Sequence, residues 1–210
     1  MAKKDKQTSS DDEYFLISNV INKSFGDGTI IDLTDGNKNV KRLSTGDISL
    51  DYVLGGGWPT NRVIEIYGNN SVGKTTVICK AIEAFQKSDE RPVLLFDSEN
   101  KIDIEYASEL GVELRNKLIF SQSMCIETIG DVIDRYSEIG ISAVFIDSLA
   151  SIYTRKEMES DMDYNDHGIK QKKIGQLLRK LSEISNRCNT FVCFTNQMRV
   201  GQGHMFTYEY

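Results

Sequence analysis

Histidine is scarce in this 210-residue chain: only His167 and His204 occur, far apart in sequence, so a zinc site is not expected. The four cysteines, Cys79, Cys125, Cys188 and Cys193, show no C-x-x-C spacing. They read as buried or half-buried thiols in a reducing cytoplasm, with a Cys188–Cys193 redox pair as the alternative. No apolar run approaches the ~20 residues that a membrane helix needs, so no membrane partner is expected. The opening Met-Ala-Lys-Lys-Asp-Lys is polar with no apolar stretch behind it, which argues against a secretory signal. A net charge of −6 argues against a surface coated with nucleic acid.

What is present is ordinary for a globular domain with a real core: 40% hydrophobic and 27% charged residues. Charge is locally clustered, however. Lys170, Lys172, Lys173, Arg179 and Lys180 fall in a stretch without acids, directly after Glu157, Glu159, Asp161, Asp163 and Asp166. From composition alone such a run is a solvated helix face.

The pattern along the chain divides it into a polar, disordered tail (1–10), an arm (11–42) and a main domain (43–210). In the arm, Phe15, Leu16, Val20, Ile21 and Phe25 predict an amphipathic helix over 11–25, closed by Gly26 and Gly28. Thr29 to Leu33 reads as a short strand, and 34–42 is turn-rich. From Arg62 onward strand and helix alternate. Strands are expected at Val63–Tyr67, Val93–Asp97, Leu118–Phe120, Ala143–Asp147 and Thr190–Thr195. Helices are expected over about 74–87, from Asp103 to before Gly111, along Ile126–Tyr136, and over about 168–185, with a polar loop before the last. Such alternation predicts an α/β fold, a mostly parallel sheet with helices on both faces and ligands at the carboxyl ends of the strands.

Chemistry collects at those ends. Gly68-Asn69-Asn70-Ser71-Val72-Gly73-Lys74-Thr75 is a complete G-x-x-x-x-G-K-T phosphate loop between a strand and a helix. Glycines let backbone N–H groups turn inward around a polyphosphate, and the helix presents its positive end. Lys74 can reach the outer phosphates and the Thr75 hydroxyl can sit on Mg²⁺, so a nucleoside triphosphate is expected to bind. The apolar strand Ala143–Ile146 ends in Asp147, which suits a Mg²⁺ ligand. Val93–Phe96 runs into Asp97-Ser98-Glu99, where Glu99 can orient or deprotonate a water; the plainer reading of Glu99 is a surface acid. Phe191–Thr195 ends in Asn196-Gln197, and an amide there can sense a terminal phosphate and report it to the glycine-rich loop Arg199–Phe206.

These segments, with "FGDGTIIDL", "LSTGDISLDYVLGGGWPTNRVIEIYG", "GKTT", "DSENKIDIEYASELGV", "VFIDSLA", "QLLRKL" and "CNTFVCFTNQMR" in order, resemble the RecA recombinases of bacteria and phages from about residue 11 to Phe206. The resemblance implies a RecA-like ATPase core using ATP and Mg²⁺. It implies phosphate contacts from the loop through Thr76, metal contacts from Thr75 and Asp147, and a water-directing Glu99. Asp103 and Tyr106 would embrace adenine, and Gln197 would be the switch toward a second DNA loop. Glu157–Asp166 would be the first DNA loop. Lys172, Arg179, Arg199 and Phe206 would meet DNA, which turns the reading of the basic run toward a DNA-facing one. Residues 11–33 would pack on a neighbouring subunit in a filament.

Departures from the family pattern are Gly201 and Gln202 in place of a basic residue and an apolar wedge, His167 in place of Met, and Lys172 in place of Arg. The sequence stops four residues past Phe206. The family continues with further core strands, two lysines that reach a neighbour's ATP and a C-terminal domain, so this chain is expected to be an N-terminal part. Its expected function is ATP-dependent recombination and repair: a cytoplasmic protein that forms filaments on single-stranded DNA, by itself or with a full-length recombinase, and pairs that strand with homologous duplex DNA. The alternatives are a truncated, non-catalytic module that binds ATP and joins or caps another recombinase's filaments, and a related helicase or ring ATPase, against which "STGDISLD" and "TNQMR" weigh.

Overall fold

The computed structural model describes residues 8–26, 29–30, 40–160 and 167–197. Contacts divide the chain into two units, Met1–Asn39 and Val40–Tyr210. In the first, helix α1 spans Thr8–Phe25. It leaves Tyr14, Phe15, Leu16, Ile17, Val20 and Phe25 exposed. Of the strand expected at Thr29–Leu33, Thr29 and Ile30 form a bend and the rest lies outside the described residues. The Asn22 amide takes the place of a strand neighbour there: its Oδ1 accepts from Ile30 N (2.8 Å) and its Nδ2 donates to Ile30 O (2.9 Å).

The second unit begins with elements that the sequence pattern did not predict. Strand β1 (Arg42–Leu43) pairs antiparallel with β2 (Trp58–Pro59), enclosing the short helix α2 (Ile48–Val53). Side chains close this segment locally. Asp47 caps α2 by accepting from Leu50 N at 2.8 Å, and Asp51 accepts from Ser44 Oγ (2.6 Å) and Thr45 N (2.7 Å). Gly57, at φ +107°, passes so near β1 that a Cβ would sit 2.2 Å from Leu43 O, so only glycine fits.

The main sheet contains β3 (Val63–Gly68), β4 (Val93–Asp97), β5 (Leu118–Ser121), β6 (Ala143–Asp147) and β7 (Phe191–Gln197). All neighbours are parallel, in the spatial order β3-β7-β6-β4-β5. The connecting helices are α3 (Lys74–Ser88), α4 (Ile104–Glu109), α5 (Ile126–Ile139), α6 (Arg155–Glu159) and α7 (His167–Cys188). The α/β expectation holds.

Strand periodicity sorts the core into two layers. On one face Ile78, Ile82 and Phe85 of α3 pack with Val93, Leu95, Phe145, Phe191 and Cys193, and Trp58 joins them. On the other, Ile129 and Ile133 of α5 and Leu177, Leu181 and Ile184 of α7 meet Leu94, Phe96, Val144, Ile146 and Val192. Both faces of β4, β6 and most of β7 are buried, which is why their sequences are unbroken apolar runs. Each such side chain contributes about 1.5–3 kcal/mol on burial, enough to hold the strand ends in fixed register.

The polar loop expected after β6 is partly structured. A 3-10 turn covers Leu149–Ser151, Tyr153 bridges to Cys125, and α6 is started by a capping box between Thr154 and Glu157. Glu157 is thus a helix-capping residue, while 161–166 lie outside the described residues. All four cysteines are free. Burial raises the Cys79 thiol to about 11 and Cys193 further still, which disfavours the thiolates a redox pair requires. Among the described residues no helix is long and apolar enough to cross a membrane.

Candidate active site

The phosphate loop leaves β3 at Gly68 and enters α3 at Lys74. Two positive φ values, +60° at Ser71 and +93° at Gly73, turn the chain. Gly73 occupies the N-cap without a side chain, and the first turn of α3 holds no acid. The N–H groups that begin α3 are therefore available to an anion. Lys74 Nζ donates to Gly68 O (2.9 Å) and Asn69 O (2.8 Å), staying inside the loop it follows.

Sheet order brings the other strand ends to this loop. Gly68 pairs in register with Gln197, and Asp97 with Asp147. Thr75 Oγ1 donates to Asp147 Oδ2 at 2.7 Å, and Thr195 Oγ1 donates to Asp147 Oδ1. Asp147 is 7% exposed, so these hydroxyls provide solvation that water does not. Asp97, at 1% exposure, accepts from the N–H groups of Lys101 (3.2 Å) and Ile102 (3.0 Å) and shapes the turn that carries Glu99.

Glu99 has donors on both oxygens. Ser148 Oγ (2.6 Å) and Gln197 Nε2 (2.9 Å) donate to Oε1, and Lys101 Nζ (2.8 Å) to Oε2. Partial burial works against the charged form, but the hydrogen bonds from Lys101, Ser148 and Gln197 outweigh it and hold the carboxyl down to about 2. A cavity of about 570 Å³ is bounded by Asn70, Ser71, Gly73, Lys74, Thr75, Thr76, Glu99, Lys101, Asp147 and Gln197.

Half of the site residues singled out in the sequence thus line one space. Asn69 contributes its carbonyl to Lys74, and Val72 is exposed with its Cγ2 over Gly68. Tyr106 OH stands 3.4 Å from Thr76 Oγ1, beside the cavity. Asp103 caps α4, accepting from Tyr106 N at 3.1 Å. Lys172 and Arg179 lie two turns apart on the exposed side of α7. Two members of the basic run turn the other way: Lys173 stands 3.7 Å from Glu127 and Lys180 2.6 Å from Asp134, both on α5. Arg199 and Phe206 lie outside the described residues.

Lys101, Ser148 and Thr195 belong to the site although sequence reasoning missed them. Ser148 had a signal, its place beside Asp147 at a strand end. Thr195 became a partner only through the β6–β7 pairing, which pairs Ile146 with Phe194 and sets the next positions side by side.

The donor chemistry suits a hard cation: one hydroxyl and one carboxylate oxygen converge where Mg²⁺ takes few protein ligands and completes its shell with water and phosphate. Among the described residues there is no cluster of three His, Cys, Asp or Glu that could hold a metal ion.

A parallel sheet with a glycine-rich loop running into a helix, and a carboxylate at an adjoining strand end, defines an α/β protein of the phosphate-loop class. The chain belongs to the RecA family: the model of the RecA N-terminal domain matches residues 16–209. It is similar to Protein RecA of Nostoc sp. (40% identical over 187 residues, covering 88% of this chain and 52% of that protein). It is also similar to Protein RecA of Azoarcus sp. (38% over 190 residues, 89% and 55%) and of Acholeplasma laidlawii (37% over 189 residues, 89% and 56%). The chain spans about half the length of the curated relatives it matches.

Proposed function

We propose that this chain is the nucleotide-hydrolysing part of an ATP-dependent DNA recombinase, one that assembles on single-stranded DNA and pairs it with homologous duplex DNA. The observation that carries this reading is Glu99 in the phosphate-loop cavity, joined to Gln197 at the end of β7, directly before the glycine-rich segment. One hydrogen bond connects the residue suited to water activation with the residue that closes β7, after which the glycine-rich sequence follows.

In this reading the loop 68–73 and the start of α3 bind the phosphates through backbone N–H groups, and Lys74 moves from loop carbonyls to the outer phosphates. Thr76 lines the same end of the cavity, and Tyr106 stacks on the base. Asp103 fixes the start of α4 and so the position of that ring. Thr75 and Asp147 would hold Mg²⁺, which when bound supplies charge neutralisation on the phosphates. Glu99 accepts a proton from water as its oxygen bonds to the γ-phosphorus. The bond from that phosphorus to the bridging oxygen breaks, ADP leaves, and the proton passes on to phosphate. Gln197 exchanges Glu99 for a terminal phosphate oxygen and shifts the segment behind it.

Lys172 and Arg179 supply the DNA-facing charge of α7, with Arg199 and Phe206 in the sequence after β7. The exposed apolar side chains of α1 support self-association into a filament, or addition to another recombinase's. The free cysteines accord with a cytoplasmic location. The test is binding of a single-stranded oligonucleotide with and without a slowly hydrolysed ATP analogue. Tight binding that needs the analogue, and that weakens in Lys172→Ala and Arg179→Ala, supports the reading. Analogue binding with no DNA binding supports the non-catalytic module instead.

A further inference from the structure

Lys101 is the cation of this site that no phosphate-loop motif accounts for. It lines the cavity together with Lys74, Thr75 and Glu99. Its placement is built into the fold. Buried Asp97 accepts from the N–H groups of Lys101 and Ile102, and Asn100 turns the chain at φ +53°. The turn thereby directs the Lys101 side chain back over the strand ends. Its stem is free to swing, since the side chain is 73% exposed while its ammonium rests on Glu99 Oε2 at 2.8 Å.

The contact matters because of what it leaves Glu99. Ser148 and Gln197 already occupy Oε1, so with Lys101 on Oε2 each oxygen of the carboxylate accepts from a protein donor. Oε2 keeps a second lone pair for water, but an ammonium on that oxygen draws its charge away and weakens it as an acceptor from an attacking water. The outermost phosphate of a nucleoside triphosphate carries more charge than a carboxylate, and lysine is a compact charge on a flexible stem, suited to changing partners.

Resting on the nucleotide-site reading above, we propose that Lys101 is a phosphate-contacting residue: its ammonium passes from Glu99 to the terminal phosphate of a bound nucleoside triphosphate, and the exchange frees Glu99 Oε2 of the ammonium as it accepts from the attacking water. Lys101 is then a second sensor of the triphosphate, on the same strand end as the group that directs water. It distinguishes triphosphate from diphosphate, because a diphosphate lacks the group that draws it away.

Affinities of a slowly hydrolysed ATP analogue and of ADP, measured by competition with a fluorescent nucleotide, test this in the full chain, in Lys101→Met, in Lys101→Arg and in Lys74→Ala. The expected result for Lys101→Met is about tenfold weaker triphosphate binding with ADP affinity held within about twofold, and Lys101→Arg restores most of the difference. Equal losses for both nucleotides, or no loss for either, overturn the assignment of Lys101. If instead Lys74→Ala leaves both affinities intact, the nucleotide-site reading itself fails, and the role of Lys101 falls with it.

Discussion

Gln197 Nε2 donates to Glu99 Oε1 at 2.9 Å, joining residues 98 positions apart in the chain. The bond spans the ends of two strands that are not neighbours: Gln197 closes β7, and Glu99 follows β4 on the far side of β6. Ser148, directly after β6, donates to the same oxygen from between them. Glu99 Oε1 thus accepts from side chains at the ends of both β6 and β7.

The first prediction follows from that coupling. In Gln197→Ala, a slowly hydrolysed ATP analogue no longer raises the affinity for single-stranded DNA, a loss of about tenfold in the coupling, while the analogue itself still binds. Fluorescence anisotropy of a labelled oligonucleotide, with and without the analogue, measures it. Coupling retained at the full chain's level would contradict the switch role.

Thr195→Val removes the hydroxyl that donates to Asp147 while keeping the shape of the side chain. Both residues are buried, so one carboxylate oxygen loses its partner at a cost of about 1–3 kcal/mol. Thermal unfolding is expected at lower temperature, and added Mg²⁺ with nucleotide is expected to recover part of the loss by occupying the same carboxylate. Unchanged unfolding temperature would show that Thr195 does not support Asp147.

The pH dependence has a definite sign. The Glu99 carboxyl is lowered from 4.5 to about 2, so its contribution to stability is complete above about 4.5 and lost as pH falls toward 2. Glu83, held down mainly by hydrogen bonds from Lys87 and Lys80, acts in the same direction, as does Asp89 through its hydrogen bond with Arg91. Unfolding by denaturant is therefore expected to become easier as pH falls below about 4.5, with Glu99→Gln showing a weaker dependence over that range.

The α/β architecture was legible because β4, β6 and β7 are apolar runs ending in polar residues, and α3 and α5 carry helical spacing. The segment β1–α2–β2 was not. It has no long period, and its order comes from Asp47, Asp51 and the close approach of Gly57 to Leu43. The site was legible where its residues sit at strand ends in sequence: Gly68 to Thr75, Glu99, Asp147 and Gln197. It was hidden where membership depends on which strands adjoin. Thr195 beside Asp147 and Lys101 on Glu99 follow from strand order and from a turn shaped by Asp97, neither of which a linear pattern records. The basic run on α7 divides for the same reason. Lys173 and Lys180 meet α5, while Lys172 and Arg179 face outward, a split set by helix packing.

The most direct measurement is ATP hydrolysis by the 210-residue chain with and without single-stranded DNA, beside Glu99→Gln. The account predicts turnover stimulated by DNA in the chain and reduced by about 10²–10⁴-fold in Glu99→Gln, with ATP still bound by the variant. DNA-stimulated turnover that survives Glu99→Gln would contradict it, because the water would then be directed by a group other than Glu99.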